Sequence, residues 1–164
     1  MAIAYLGLGS NVDAERHIRI AVQALEEQFG QVELSPVYRS EAVGFKGDDF
    51  LNLAARITTN MTPLQLRAFL RALEARHGRD RNTPKWSDRT LDIDILLYDE
   101  LVVYGEDLEI PRREILKFAH VLKPLADLAP NLAHPVEGRT IADIWASSDC
   151  RDARLERVGG LASE

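Results

Sequence analysis

One cysteine, Cys150, is all the thiol chemistry the chain carries. Without a second thiol there is no internal disulfide, and a zinc site built on cysteine pairs is excluded, so a reducing cytoplasm is the expected compartment. Positive charge is in short supply: 20 Lys and Arg stand against 26 Asp and Glu, a net charge of −6. That balance argues against general nucleic-acid binding, which needs a basic face to displace counterions from phosphates. Aromatic residues make up only 7%, and none fall into a pattern for stacking single-stranded RNA on a sheet. No apolar run reaches the roughly 18 residues of a membrane span. The opening "MAIAYLGLGSN" has no basic region ahead of its short apolar run, so neither insertion nor secretion is expected. Familiar motifs are missing too. There is no Gly-x-x-x-x-Gly-Lys-Ser/Thr loop, no nucleophile elbow and no histidine pair at metal-ligand helical spacing. His17 and His134 read as surface or loop residues. "GLGSN" lacks the spacing of a dinucleotide fingerprint.

What remains is an ordinary globular composition, 46% hydrophobic with 7 Pro and 10 Gly in 164 residues, enough for one domain spanning 1–164. "IAYLGLGS" has the character of a buried strand that "GSN" breaks before a helix. From Asp13 onward, Ile18, Ala21, Val22, Leu25 and Phe29 repeat at helical spacing, and Gly30 stands where that helix stops. "QVELSPVYRSEAV" is extended and interrupted at Pro36. "DFLNLAARITT" is a second strand whose Phe50 and Asn52 share a face. Thr62 and Gln65 frame a capping box with Pro63 at the first helical position, ahead of Leu66, Phe69, Leu70 and Leu73. That helix is predicted to end near Gly78. A strand over Asp88 to Tyr98, a turn at "YDE", a strand "LVVY" and short helices at "VLKPLADLAP" and "TIADIWAS" complete the order βαββαββα. Such an order predicts an α+β, ferredoxin-like fold: an antiparallel-rich sheet with helices packed on one face.

The stretch "DRTLDIDILLY" puts Asp92 and Asp94 into an otherwise apolar, β-branched run. As residues i and i+2 of a strand they project from one face, about 7 Å apart along the chain. An edge strand with a solvated face would tolerate them. Their neighbours favour chemistry instead, because Arg76, Arg79, Arg81, Lys85 and Arg89, with His77 and Trp86, concentrate positive charge beside the pair. Paired carboxylates hold hard divalent cations such as Mg²⁺, arginine forks match phosphate oxygens, and Trp86 offers a surface for a flat ring. The combination suits a magnesium nucleotide whose phosphates are held by side chains rather than by a glycine cradle.

These blocks, "GLGSN", "FLN" at Phe50 to Asn52, "LEARHGRDR", "DRTLDIDILLY" and "IPRREILKFAHVLKPLADLAP", stand in the order found in one family. The chain resembles the hydroxymethyl-dihydropterin pyrophosphokinases over almost its whole length. The resemblance implies transfer of the β,γ-diphosphate of ATP to 6-hydroxymethyl-7,8-dihydropterin, with release of AMP, in the folate pathway. It implies Asp92 and Asp94 as ligands of two Mg²⁺ ions and Arg79 and Arg89 as catalytic arginines. Arg71, Glu74, Arg79, Arg81, Trp86, Ile95 and Arg112 match nucleotide-binding positions. Ser40, Val43, Gly44, Phe50, Asn52, Trp86 and His120 match the pterin pocket, and Trp86 sits in the segment that closes over the site. Positioning and electrostatic stabilisation would dominate such a reaction, with no strong protein base required. A monomer is expected, with no nucleic-acid or membrane partner.

The chain also departs from the family's usual pattern. Ser87 and Asp88 replace Gly-Pro ahead of Arg89, adding a carboxylate beside the phosphates. Arg112 stands for the usual histidine, and Phe118 and His120 exchange the usual basic and aromatic positions. Two other classes therefore stay open: a pterin- or nucleotide-binding relative with weakened catalysis, and a two-metal nucleotidyl transferase that would release pyrophosphate.

Overall fold

The computed structural model describes residues 1–42, 47–77 and 90–158. The apolar opening forms β1 (Ala2–Ser10), and the helical spacing after it forms α1 (Ala14–Phe29). Gly30 ends that helix at φ 82, a left-handed conformation that glycine adopts without the penalty a Cβ brings. β2 (Glu33–Leu34) and β3 (Val37–Ser40) are the extended segment split at Pro36, and β4 (Phe50–Thr59) follows. α2 (Pro63–Arg76) starts at the expected capping box, with Thr62 N donating to Gln65 Oε1 at 2.9 Å and Gln65 N to Thr62 Oγ1 at 3.2 Å. Beyond it come β5 (Asp92–Tyr98) and the short strands β6 (Val103–Tyr104) and β7 (Glu109–Ile110). A 3₁₀ turn (Arg113–Leu116) leads into α3 (Ala119–Leu128), and α4 (Ile141–Ala146) and β8 (Leu155–Val158) close the chain.

The main sheet runs β5-β1-β4-β3-β8, antiparallel at every step, with β2 also paired to β4. Its core, β1-α1-β3-β4-α2-β5, is the ferredoxin-like order expected. Strand alternation sorts side chains onto two faces. Ala4, Leu6 and Leu8 of β1, Leu53, Ala55 and Ile57 of β4, and Ile93 and Ile95 of β5 pack with Ile18, Leu25, Leu66, Leu70 and Leu73 of α1 and α2. Tyr5, Ala54 and Leu97 point the other way and pack with Leu122, Leu125, Ile141 and Ile144 of α3 and α4. Helices thus cover both faces, where the sequence pattern had placed them on one. α3 is tied down by Tyr38, whose hydroxyl donates to Asp127, while Lys123 Nζ reaches the other Asp127 oxygen at 3.0 Å. Burial and that carboxylate push the Tyr38 phenol up to about 12.

β1 ends at Ser10, where the expected strand does. Two details differ from the sequence expectation. Among the described residues "LVVY" does not join the main sheet, because β6 pairs with β7 alone. β8, a short polar strand, extends the sheet beside β3. Among the described residues no helix is long and apolar enough to cross a membrane.

Candidate active site

The second face of the sheet changes character toward one end. Under α3 and α4 it is apolar; beyond them, the register lines up Asp92, Gly9, Asn52 and Tyr38 in one cross-strand row and Asp94, Gly7 and Ala54 in the next. Asp92 and Asp94 share this face because Ile93 and Ile95 turn the other way into the core. The glycines matter here. A Cβ on Gly9 would lie 3.1 Å from Asn52 Oδ1, and one on Gly7 would lie 3.3 Å from Leu96, so the bare backbone lets neighbouring side chains lie across the strand. Asn52 is buried and donates through Nδ2 to Ser40 Oγ at 2.7 Å. Phe50 flanks the pair, its Cδ1 3.8 Å from where that Gly9 Cβ would be. The expectation of a strand over "IAYLGLGS" does not include this floor; the signal for it is glycine recurring at every second residue of a strand, opposite an Asp-x-Asp strand.

Asp94 is 17% exposed. Burial, and then the neighbouring charge of Asp92, push its carboxyl up to about 7, with Arg112 acting in the opposite sense. Arg112 Nε lies 3.6 Å from Asp94 Oδ2 and 2.8 Å from Glu114 Oε1. Despite its burial, these carboxylates hold the Arg112 guanidinium in its charged form. His120, at the start of α3, is held below its ordinary range by burial, opposed by Glu114 and Asp92. It stacks on Phe118 with ring centroids 5.2 Å apart and planes 23° apart. The exchange of these residue types therefore keeps both rings at the same wall.

Beside the carboxylates, α2, the edge of β5 and the segment around β7 enclose a cleft of about 280 Å³ lined by Arg67, Arg71, Asp94, Ile95 and Arg112, among others. Arg71 Nη1 donates to Glu74 Oε1 at 3.0 Å, while its buried Nε has no hydrogen-bond partner among the described residues. Glu74 is 1% exposed, and its Oε2 accepts the outward N–H of Ile93 at 2.8 Å, closing part of the sheet edge.

The structure thus brings together Ser40, Phe50, Asn52, Asp92, Asp94 and His120, with Arg71, Glu74, Ile95 and Arg112 beside them. Val43, Gly44, Arg79, Arg81, Trp86 and Arg89 lie outside the described residues, as does Lys85. His134 lies in a loop as expected, but its side chain is only 2% exposed, and its Nδ1 accepts from Val136 N and Glu137 N in the turn that follows. Among the described residues no cluster of three or more His, Cys, Asp or Glu is placed to hold a metal. Two hard oxygen donors on one face, with a carboxyl that takes up a proton for want of compensating charge, nevertheless fit a hard divalent cation completed by ligand oxygens.

Residues 5–130 match the family model described as 7,8-dihydro-6-hydroxymethylpterin-pyrophosphokinase. A protein of Aquifex aeolicus named 2-amino-4-hydroxy-6-hydroxymethyldihydropteridine pyrophosphokinase is 38% identical over 138 residues, 83% of this chain and 86% of its own. One of the same name from Pseudomonas aeruginosa is 38% identical over 160 residues, 95% of this chain and 96% of its own. The crystal structure of Plasmodium falciparum HPPK-DHPS with SDX-DHP superposes with a TM-score of 0.68 at 16% identity. The match covers 89% of this chain but 43% of that longer one, and at such identity it speaks for the fold alone.

Proposed function

The chain belongs to the 7,8-dihydro-6-hydroxymethylpterin-pyrophosphokinase family, and from that premise we propose that the polar end of the second sheet face is its active site. The enzyme transfers diphosphate from ATP to hydroxymethyldihydropterin, leaving AMP, in folate biosynthesis. The observation that carries the site assignment is the register, which sets Asp92 and Asp94 against Gly9 and Gly7 in rows shared with Asn52.

In this reading Asn52 and Ser40 hydrogen-bond the edge of the pterin, while Phe50 and His120 flank its flat faces. Asp92 and Asp94 hold two Mg²⁺ ions, which when bound neutralise triphosphate charge and polarise the phosphoryl oxygens. The nucleotide occupies the cleft beside β5. There Arg71, held in place by Glu74, offers an Nε–H that has no partner among the described residues, Ile95 supplies apolar wall and Arg112 faces the phosphates. By their match to the family's positions, Arg79 and Arg89 are assigned as catalytic arginines, Arg79, Arg81 and Trp86 to the nucleotide, and Val43, Gly44 and Trp86 to the pterin; all of these lie outside the described residues. The pterin oxygen attacks the β-phosphorus as the bond to the α-phosphate oxygen breaks. No side chain need become covalently bonded, so the protein's contribution is to align the two reactants and compensate charge. We further propose one domain over 1–164, acting as a cytoplasmic monomer.

The test is product analysis with ATP, Mg²⁺ and 6-hydroxymethyl-7,8-dihydropterin, comparing the wild type with Asp94→Ala. AMP and pterin diphosphate, lost in the variant, are the expected result. Release of pyrophosphate in place of AMP would point to a nucleotidyl transferase. Binding of both substrates without AMP would leave a binding protein.

A further inference from the structure

Arg112 poses an electrostatic problem, since a permanently charged guanidinium sits next to one of the carboxylates assigned to the cation. We propose that Glu114 is a positioning residue that holds Arg112 off Asp94 and so keeps the Asp94 carboxylate open to the divalent cation; this rests on the reading of Asp92 and Asp94 as cation ligands.

The geometry turns on one atom. Arg112 Nε carries a single hydrogen, and two carboxylates face it: Glu114 Oε1 at 2.8 Å and Asp94 Oδ2 at 3.6 Å. The first is a charge-assisted hydrogen bond, and the second lies beyond hydrogen-bond length. Backbone contacts fix both ends of this arrangement. Arg112 N donates to Leu96 O at 2.9 Å, which pins its main chain to the end of β5. Glu114 sits in the 3₁₀ turn, where its carbonyl accepts from Lys117 N and Phe118 N, both at 3.1 Å. The side chains of Arg112, Asp94 and Glu114 are only 28%, 17% and 25% exposed. In such partly desolvated surroundings a guanidinium that lost Glu114 would close its present 3.6 Å ion pair with Asp94 into a hydrogen-bonded one. A cation arriving there would then have to displace an arginine fork.

The experiment is a double-mutant cycle read by binding rather than turnover. Wild type, Glu114→Gln, Arg112→Gln and the double variant are titrated with Mn²⁺ alone, following loss of the free-ion EPR signal, with thermal melts to confirm folding. If Glu114→Gln melts early, Glu114→Asp, which keeps the charge on a shorter stem, takes its place with a smaller expected effect. Glu114→Gln is expected to weaken Mn²⁺ about tenfold, Arg112→Gln alone to change it less than about threefold, and the double variant to return to within about threefold of wild type. A simple loss of nearby negative charge would behave differently: Arg112→Gln would tighten Mn²⁺ by the same factor in both backgrounds. Additivity of that kind overturns the inference. If wild type binds Mn²⁺ no better than Asp94→Ala, the cation reading itself falls, and this inference with it.

Discussion

The two faces of the sheet are made from the same strands and do opposite work. Against α1 and α2, the inward positions Ala4, Leu6 and Leu8 of β1, Leu53, Ala55 and Ile57 of β4, and Ile93 and Ile95 of β5 are aliphatic, and Leu6, Leu53, Ile57 and Ile93 are all but inaccessible. On the other face, β1 alternates Tyr5 with Gly7 and Gly9, β4 runs from Ala54 to Asn52, and β5 presents Asp94 and Asp92. The first face stabilises by removing apolar surface from water. The second gives up that stabilisation at one end, exchanging aliphatic volume for bare backbone, a buried amide and two carboxylates. The proposed site is confined to a stretch of sheet where the hydrophobic pattern is suspended, one residue out of register with the pattern that folds the chain.

The largest effect expected from this contrast is a separation of activity from stability. Asp94→Ala should lower AMP formation by at least about a thousandfold, on the scale of losing a key electrostatic group, while the melting temperature without metal holds or rises, because a poorly solvated carboxyl is removed. Leu53→Ala, on the face opposite, should do the reverse: about 2–5 kcal/mol less stable in urea, with kcat of the folded protein nearly intact. If Leu53→Ala abolished kcat at full folding, or Asp94→Ala unfolded the chain, the division between the faces would not hold.

Much of this contrast could be read from the sequence. Helical spacing around Ile18 to Phe29, the Thr62 and Gln65 box, and Gly30 marked the first two helices, because caps and amphipathic periods are written within a few residues. Asp92 and Asp94 stood out because charge at alternate positions of an apolar strand is itself local. The parts that escaped depend on pairing across the chain. Leu155–Val158 is polar and short, and becomes a strand only because β3 offers it an edge. Gly7 and Gly9 lie inside the expected first strand, but only the register shows that they stand opposite carboxylates. The covering of the second face by α3 and α4, the burial of His134, and Glu114 between Arg112 and His120 all follow from packing that no short window contains.

A gentler probe is to restore the missing volume on the functional face. Gly9→Ala would place a methyl 3.1 Å from Asn52 Oδ1, pushing the amide off its Ser40 contact. The expected outcome is a KM for the pterin raised about tenfold, with a smaller change for ATP, since only the pterin side is displaced. Gly7→Ala meets the flexible end of Leu96 instead and should be milder. Equal effects on both substrates would show that the glycines serve the strand and not the pocket.

The smallest effect is also the most diagnostic, because it follows a single proton. Asp94 is pushed from an ordinary carboxyl value of 3.8 up to about 7, mainly by burial and then by Asp92. Below that value the folded protein keeps a proton that the unfolded chain has already released. The protonated carboxyl therefore favours the fold at low pH, and that contribution drains away as pH rises from about 4 to about 7. A divalent cation needs the deprotonated form, so its binding runs the other way and should weaken about fivefold between pH 7 and pH 6. Relative to Asp94→Ala, the metal-free wild type should lose stability as pH rises across this range, and Mn²⁺ should restore progressively more of it. His120 and His134, held below their ordinary range by burial, add a background of opposite sign that both proteins share. On the aliphatic face Leu53→Ala should leave the difference untouched. A wild-type pH dependence identical to that of Asp94→Ala would assign the proton to another group and dissolve the link between the suspended hydrophobic pattern and the cation.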